Sequence, residues 1–228
     1  RDCLLSRGLG DVYKRQGLNS SLQIYMNTYF WEFKSIMIAS FLGIYAMSTF
    51  TAFLLIPRLV LYLEKRSILL FSIALAALIP PIPIILYIND ILPDSGSWNL
   101  FFSLAPFIYI GNTCLSSSAI VRESMLGDIS DEVELESKIG QQGLMFASSS
   151  LIGKLNTGLG ILVAGLALEF IGFPRGSEIL PNSDQIFSLA MVQGPFVAVL
   201  MIVPFGIFFL YNIDRQKHNT ILSQLDAR

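Results

Sequence analysis

The sequence predicts an all-α fold, a polytopic bundle of transmembrane helices, and three observations carry that prediction. Of 228 residues, 53% are hydrophobic and 14% charged. Soluble domains carry about 25% charged residues, so this chain lacks the polar side chains to cover an aqueous surface. Mean hydropathy is +0.61. Five long apolar stretches then succeed one another, each meeting the roughly 20 residues that a helix needs to cross a hydrocarbon core of about 30 Å. In hydrocarbon every backbone polar group must be satisfied internally, which helices achieve segment by segment.

Residues 1–16 (RDCLLSRGLGDVYKRQ) differ in character from the rest of the chain. They are basic and have no apolar core segment, so they are not a signal peptide. Their end, DVYKRQ, resembles a translated transposon-adapter sequence. We expect 1–16 to be a sequencing-adapter or cloning scar, with the genuine chain starting near Gly17. A transmembrane unit is then expected over 17–213. Residues 18–33 are short and aromatic, with Tyr25, Tyr29, Phe30 and Trp31, and read as a partial helix whose rings lie at the interface. Full spans are expected at 35–57, 67–89, 97–121, 140–170 and 185–213, with a polar tail at 214–228.

Breakers mark several spans. Pro80, Pro81 and Pro83 interrupt the second, Pro106 and Gly111 the third, and Pro195 and Pro204 the fifth. Such kinks survive in membranes because neighbours satisfy the freed carbonyls. The fourth carries Gly153, Gly158, Gly160, Ala164 and Gly165, small residues that let another helix approach closely. Orientation is read from Lys and Arg in the connections. The first holds Arg58, Lys65 and Arg66, the second none, the third Arg122 and Lys138, the fourth only Arg175, and the tail Arg215, Lys217 and Arg228. The first and third connections and the C-terminus are therefore expected in the cytoplasm.

The net charge of −2, with no basic block, gives no footprint for nucleic acid. Cys3 and Cys114 lack metal or disulfide spacing. His218 is the single histidine and lies in the polar tail. No nucleophile–base set, phosphate-binding glycine loop or metal-ligand cluster is apparent, so neither an enzyme nor a cofactor is expected.

Lys154 is the sharpest candidate. It is the one charge within the apolar part of the fourth span; Glu169 lies at that helix's end. Insertion scales put a central lysine at about +2.5 to +3.5 kcal/mol, so it should face the bundle interior or a wet cavity. At helical spacing it shares a face with Ala147, Ser150, Thr157, Gly158, Ile161 and Gly165. That mostly small and polar face suits a contact with substrate or coupling ion. The alternative is a structural lysine, paired or snorkelling. On the third span Tyr109, Asn112, Thr113, Ser116 and Ser117 recur at spacings of three and four; they could hydrogen-bond a polyol or bind across helices. Tyr45, Ser48 and Thr49 on the first span read as packing. The third connection is acidic, with Asp128, Asp131 and Glu134. It reads as a solvated loop, or as an inner gate in which Asp128 and Asp131 cap helix N-termini or pair with basic residues in one state only.

Several segments together resemble a known family. Met125-Leu126-Gly127-Asp128 with Asp131 and Glu134, then Gly143-Leu144-Met145-Phe146-Ala147, Gly153-Lys154-Leu155 and Gly158, then Gly165 and Ile171-Gly172-Phe173 are similar to helices ten and eleven of the glycoside–pentoside–hexuronide:cation symporters. These melibiose-carrier-like proteins belong to the major facilitator superfamily. Tyr29-Phe30 and Pro57-Arg58-Leu59 fit helices seven and eight. Where the family commonly has Thr-Gly-x-Arg-x-Glu-Gly, this chain has SKIGQQG at 137–143.

The resemblance implies the C-terminal six-helix half of a twelve-helix transporter that works by alternating access. It implies symport of a small-molecule substrate, a sugar or glycoside first, with sodium or protons. Lys154 would match the helix-eleven lysine near the substrate and cation sites. The main cation site would lie in the N-terminal half, which this chain lacks, and the protein would sit in a lipid bilayer, a bacterial inner membrane. A lysophospholipid or other organic solute is the same-family alternative; a non-transporting receptor or scaffold is the alternative from another class.

Overall fold

The computed structural model describes residues 22–174 and 180–196. Segment 1–16, Arg175, the tail 214–228 and most of the span expected at 185–213 lie outside the described residues. Within them the fold is all-α. Residues 22–25 are helical and run into a π-helical turn, π1 (Met26–Phe30). Next come α1 (Ser35–Tyr62), α2 (Lys65–Leu78), α3 (Pro81–Ile88), α4 (Trp98–Ser137), α5 (Gln142–Phe170), α6 (Ser183–Met191) and a second π-helical turn, π2 (Val192–Phe196).

Four of these helical stretches are long and apolar enough to cross a membrane: α1, α2 with α3, α4 and α5. They present large apolar side chains outward, among them Leu42, Phe50, Phe53, Phe102, Leu151 and Leu162. A lone soluble domain does not expose such a surface; lipid tails or a partner bundle solvate it. The chain is an integral membrane protein.

Proline chemistry sets the α2–α3 break. Pro80 and Pro81 cannot donate to the helical ladder, so α2 ends at Leu78, and α3 restarts with proline at its first position, where the missing N–H costs nothing. Pro57 and Pro106, by contrast, lie inside α1 and α4, which remain continuous.

The third connection is not a loop. α4 runs unbroken for 40 residues, about 60 Å at 1.5 Å per residue, or twice the hydrocarbon core. Ser97 caps its start, its Oγ accepting from the Leu100 N–H at 3.1 Å. Lys138 ends it in the left-handed conformation at φ +61°, its N–H donating to the Glu134 carbonyl. The acidic residues Asp128, Asp131 and Glu134 therefore sit on a helical overhang. The physical reason is that Glu and Leu are strong helix formers and that Val121, Met125, Ile129 and Val133 form an apolar stripe at helical spacing. That stripe packs against Ile56, Ile68, Leu69 and Ile73 of α1 and α2.

A second core closes the opposite end. Leu22, Met26, Phe30, Trp31, Phe33, Met37, Phe41, Leu100, Phe101, Phe173 and Leu189 gather there. Its aromatic edges are specific: Trp31 meets Phe30 at 4.6 Å and Tyr87 at 5.2 Å, edge to face. The rings expected at an interface are thus packed against one another, and Tyr25 and Tyr29 both meet Phe173. Gly96 locks the connection entering α4. Its φ is +69°, its N–H donates to the Trp31 carbonyl at 2.8 Å, and a Cβ there would stand 3.2 Å from the Glu32 carbonyl oxygen.

Between the two cores α1 and α4 run side by side in the same direction. Phe41 meets Phe101 at one end, Ser48 meets Asn112 in the middle, and Ile56 shares a cluster with Val121 at the other end.

Candidate functional site

Lys154 lies on α5. The buried side of that helix is Ser149, Gly153, Asn156, Gly160 and Ala164, recurring every three or four residues as 3.6 residues per turn dictates. Lys154 stands about a quarter-turn from that stripe and is exposed. Beside it, at the same flank, lie Ala147, Ser150, Thr157, Gly158, Ile161 and Gly165, while leucines 144, 151, 155, 162 and 166 occupy the far side. A methyl group built on Gly158 or Gly165 meets no atom within 4 Å, so the flank is open as well as small. The Thr157 hydroxyl donates to the Gly153 carbonyl at 3.0 Å, which leaves its lone pairs for another group. Among the described residues Lys154 has no ion-pair partner.

The other polar candidates are used between helices. Tyr109 OH and Thr51 Oγ1 share a hydrogen bond at 2.6 Å, and Ser116 Oγ and Thr49 Oγ1 share one at 3.2 Å. Asn112 Nδ2 donates to Ser48 Oγ at 2.5 Å, and Thr113 Oγ1 reaches the Ser48 carbonyl at 3.4 Å besides donating within α4 to the Tyr109 carbonyl at 2.7 Å. Of the two roles the sequence leaves open for Tyr109, Asn112 and Ser116, the structure displays the helix-to-helix one. Their partners come from α1, whose Ser48 and Thr49 read as packing in the sequence. Thr51 carries no sequence signal of its own, because only the pairing of the two helices reveals it.

At the α4 overhang the acidic residues have distinct partners. Lys65 Nζ, at the start of α2, donates to both oxygens of Asp128, at 2.7 and 2.8 Å. The Asp128 side chain is 8% exposed and that of Lys65 is 24% exposed. Asp131 Oδ1 accepts from Gln142 Nε2 at 3.1 Å, at the first turn of α5. The Glu134 carboxylate lies beside Gly140 in the turn between α4 and α5. The overhang is thereby tied to both neighbouring helices. In the sequence Lys65 serves only as an orientation signal; its pairing with Asp128, 63 residues away, has no local signature.

A further polar group is one that sequence reasoning missed. Gln193 Nε2 of π2 donates to Gln23 Oε1 at 2.7 Å, and Gln23 Nε2 donates to Asn27 Oδ1 of π1 at 3.1 Å. Amides inside apolar segments were the available signal. Among the described residues, no group of three or more His, Cys, Asp or Glu could hold a metal ion.

Comparison with known proteins gives one extensive match. The profile of a family described as MFS/sugar transport protein matches residues 12–215. A Synechocystis protein described as an uncharacterized symporter is 27% identical over 141 residues. That alignment covers 60% of this chain and 25% of the relative, so the chain spans about a quarter of that relative's length. No solved structure matches.

Proposed function

The chain belongs to the MFS/sugar transport protein family, and from that premise we propose that it is the C-terminal six-helix half of a cation-coupled symporter of the glycoside–pentoside–hexuronide type. The family is one of transporters. The symporter name of the Synechocystis protein supports coupling to a cation, sodium or proton. A sugar or glycoside is the substrate class that the family description favours.

The observation that carries the reading is Lys154. It is a charge in the middle of a 29-residue apolar helix, on an open flank of small and hydroxyl residues rather than on the leucine face. Placing it against lipid would cost about 2.5–3.5 kcal/mol; facing a wet cavity between two halves, it costs far less. Its ammonium donates three hydrogen bonds, and Ser150 and Thr157 beside it add hydroxyls. Together they suit the hydroxyl-rich face of a sugar. A cationic lysine close to a cation site also couples the two ligands, because a bound cation repels it and changes what it offers the solute.

Asp128, Asp131 and Glu134 belong to the inner gate in this reading. Their bonds make α2, the α4 overhang and the start of α5 one unit, so that the end of the bundle swings together in alternating access. Tyr109, Asn112 and Ser116 hold α1 to α4 and shape the cavity wall. In this reading the protein sits in a bacterial inner membrane, and the alternation of basic connections supports a cytoplasmic C-terminus.

The test is Lys154→Ala in the intact carrier, reconstituted in proteoliposomes with an imposed cation gradient and a panel of radiolabelled methyl glycosides. We expect loss of accumulation, at least tenfold, with unchanged protein yield. Normal concentrative uptake by Lys154→Ala would remove the lysine from the mechanism. Solute binding without uptake by the wild-type protein would favour a receptor.

A further inference from the structure

Interruptions of helical geometry gather at one end of the bundle. π1 lies there, as do the left-handed residues Glu32, Asp90, Gly96 and Gly172, and π2 packs beside the start of α3, Gly194 lying against Pro81 and Ile84. π-helical residues are well under 1% of protein residues and appear as single turns, frequently at functional sites. Two of them meeting in one small bundle invites a reason.

They are joined by amides. Asn27 on π1 is 4% exposed and Gln193 on π2 is 8% exposed, and Gln23, one turn before Asn27, bridges them at 2.7 and 3.1 Å. The π geometry has a local consequence. The Trp31 N–H donates to the Met26 carbonyl, five residues back, and this frees the Asn27 carbonyl for the Phe33 N–H at 2.8 Å. An α-helical turn would instead offer the Asn27 carbonyl to Trp31. Reverting by one residue would rotate everything beyond it by about 100° and would release Phe33. On the other side, Gly194 of π2 lies so close to α3 that a Cβ would stand 2.8 Å from Ile84 Cδ1. The two turns are wedged between aromatic packing on one side and α3 on the other, and the amide chain is the polar joint between them.

Apolar residues would fill this position without burying amides. Amide pairs in a membrane add little stability, but they specify one geometry and can be exchanged for another. We propose that the Asn27–Gln23–Gln193 amide chain is a conformational latch, closed in the arrangement seen here and open in the carrier's opposite-facing state. The latch rests on the transporter reading above. It makes these three residues positioning residues: they set which state is populated and touch no solute.

The experiment uses the intact carrier with Cys114→Ser and a reporter cysteine at the exposed Thr28 of π1 (Thr28→Cys). Its rate of modification by a membrane-impermeant maleimide is measured without solute, beside glycoside uptake. Gln193→Met and Gln23→Met are near-isosteric and both remove the Gln193–Gln23 hydrogen bond; Gln23→Met also removes the bond to Asn27. Each is expected to shift the labelling rate about threefold, the factor corresponding to about 0.6 kcal/mol for an intramembrane hydrogen bond. The double variant should shift it no further than the larger single effect. The two variants guard against one failing to fold, since each removes the Gln193–Gln23 bond. Wild-type labelling and uptake in both variants, in a carrier that transports, would overturn the latch and leave the transporter reading standing. A wild-type carrier with no gradient-driven uptake would overturn the transporter reading and the latch with it.

Discussion

Replacing Asp128 by Asn tests how the overhanging end of the bundle is held. The Asp128 carboxylate accepts two bonds from Lys65, at 2.7 and 2.8 Å, and is nearly buried. Two unit charges about 4 Å apart attract by about 4 kcal/mol at an effective dielectric constant of 20. Desolvation of the carboxylate takes back a large part of that. The Lys65 side chain, 24% exposed, can turn to water once its partner is neutral, which limits the damage. The net loss is about 1–2 kcal/mol, below the usual cost of breaking a fully buried pair.

Thermal unfolding of the purified carrier should read this as a lowered Tm. The drop should change little with salt, because buried pairs are poorly screened. Asp128→Leu combined with Lys65→Met should recover part of the loss, since an apolar pair leaves no orphan charge. The pair lies on the overhang, away from Lys154 in the middle of α5, so solute affinity should hold. A wild-type Tm for Asp128→Asn, or strictly additive losses in the double variant, would refute the reasoning.

Two further outcomes rest on the same geometry. Tyr109→Phe removes one hydrogen bond to Thr51 and should cost about 0.6–1.7 kcal/mol in thermal stability with the KM for solute unchanged; a KM raised tenfold would make Tyr109 a solute contact instead. Gly96→Ala forces a side chain into a left-handed conformation against the Glu32 carbonyl, costing about 1–2 kcal/mol, and should lower Tm while leaving the Lys65–Asp128 end untouched; an unchanged Tm would mean that the turn relaxes.

The membrane-spanning, all-α character was legible because hydropathy is a property of each segment alone. Lys154 stood out for the same reason: one charge in an apolar run needs no partner to be noticed. The overhang of α4 reads as a loop because Glu123, Asp128, Asp131 and Glu132 dominate its appearance, yet charge does not distinguish a solvated helix from a loop. The spacing of Val121, Met125, Ile129 and Val133 held the correct answer. Partnerships were not legible. Thr51 with Tyr109, Lys65 with Asp128 and Gln193 with Gln23 join residues 58, 63 and 170 positions apart, and they emerge only once the helices are packed. The π turns were equally hidden, since nothing in the local run MNTYF or VQGPF distinguishes an i→i+5 turn from an α-helical one.

The central claim, that this chain is half of a cation-driven solute carrier, is tested most directly by reconstituting the intact wild-type protein in proteoliposomes. Uptake of a methyl-glycoside panel is measured under an inward sodium gradient, an inward proton gradient, and neither. The account predicts that at least one glycoside accumulates above its outside concentration under one of the two gradients, and that an ionophore collapsing that gradient releases it. Uptake that only equilibrates, indifferent to either gradient, or no glycoside uptake at all, would contradict it.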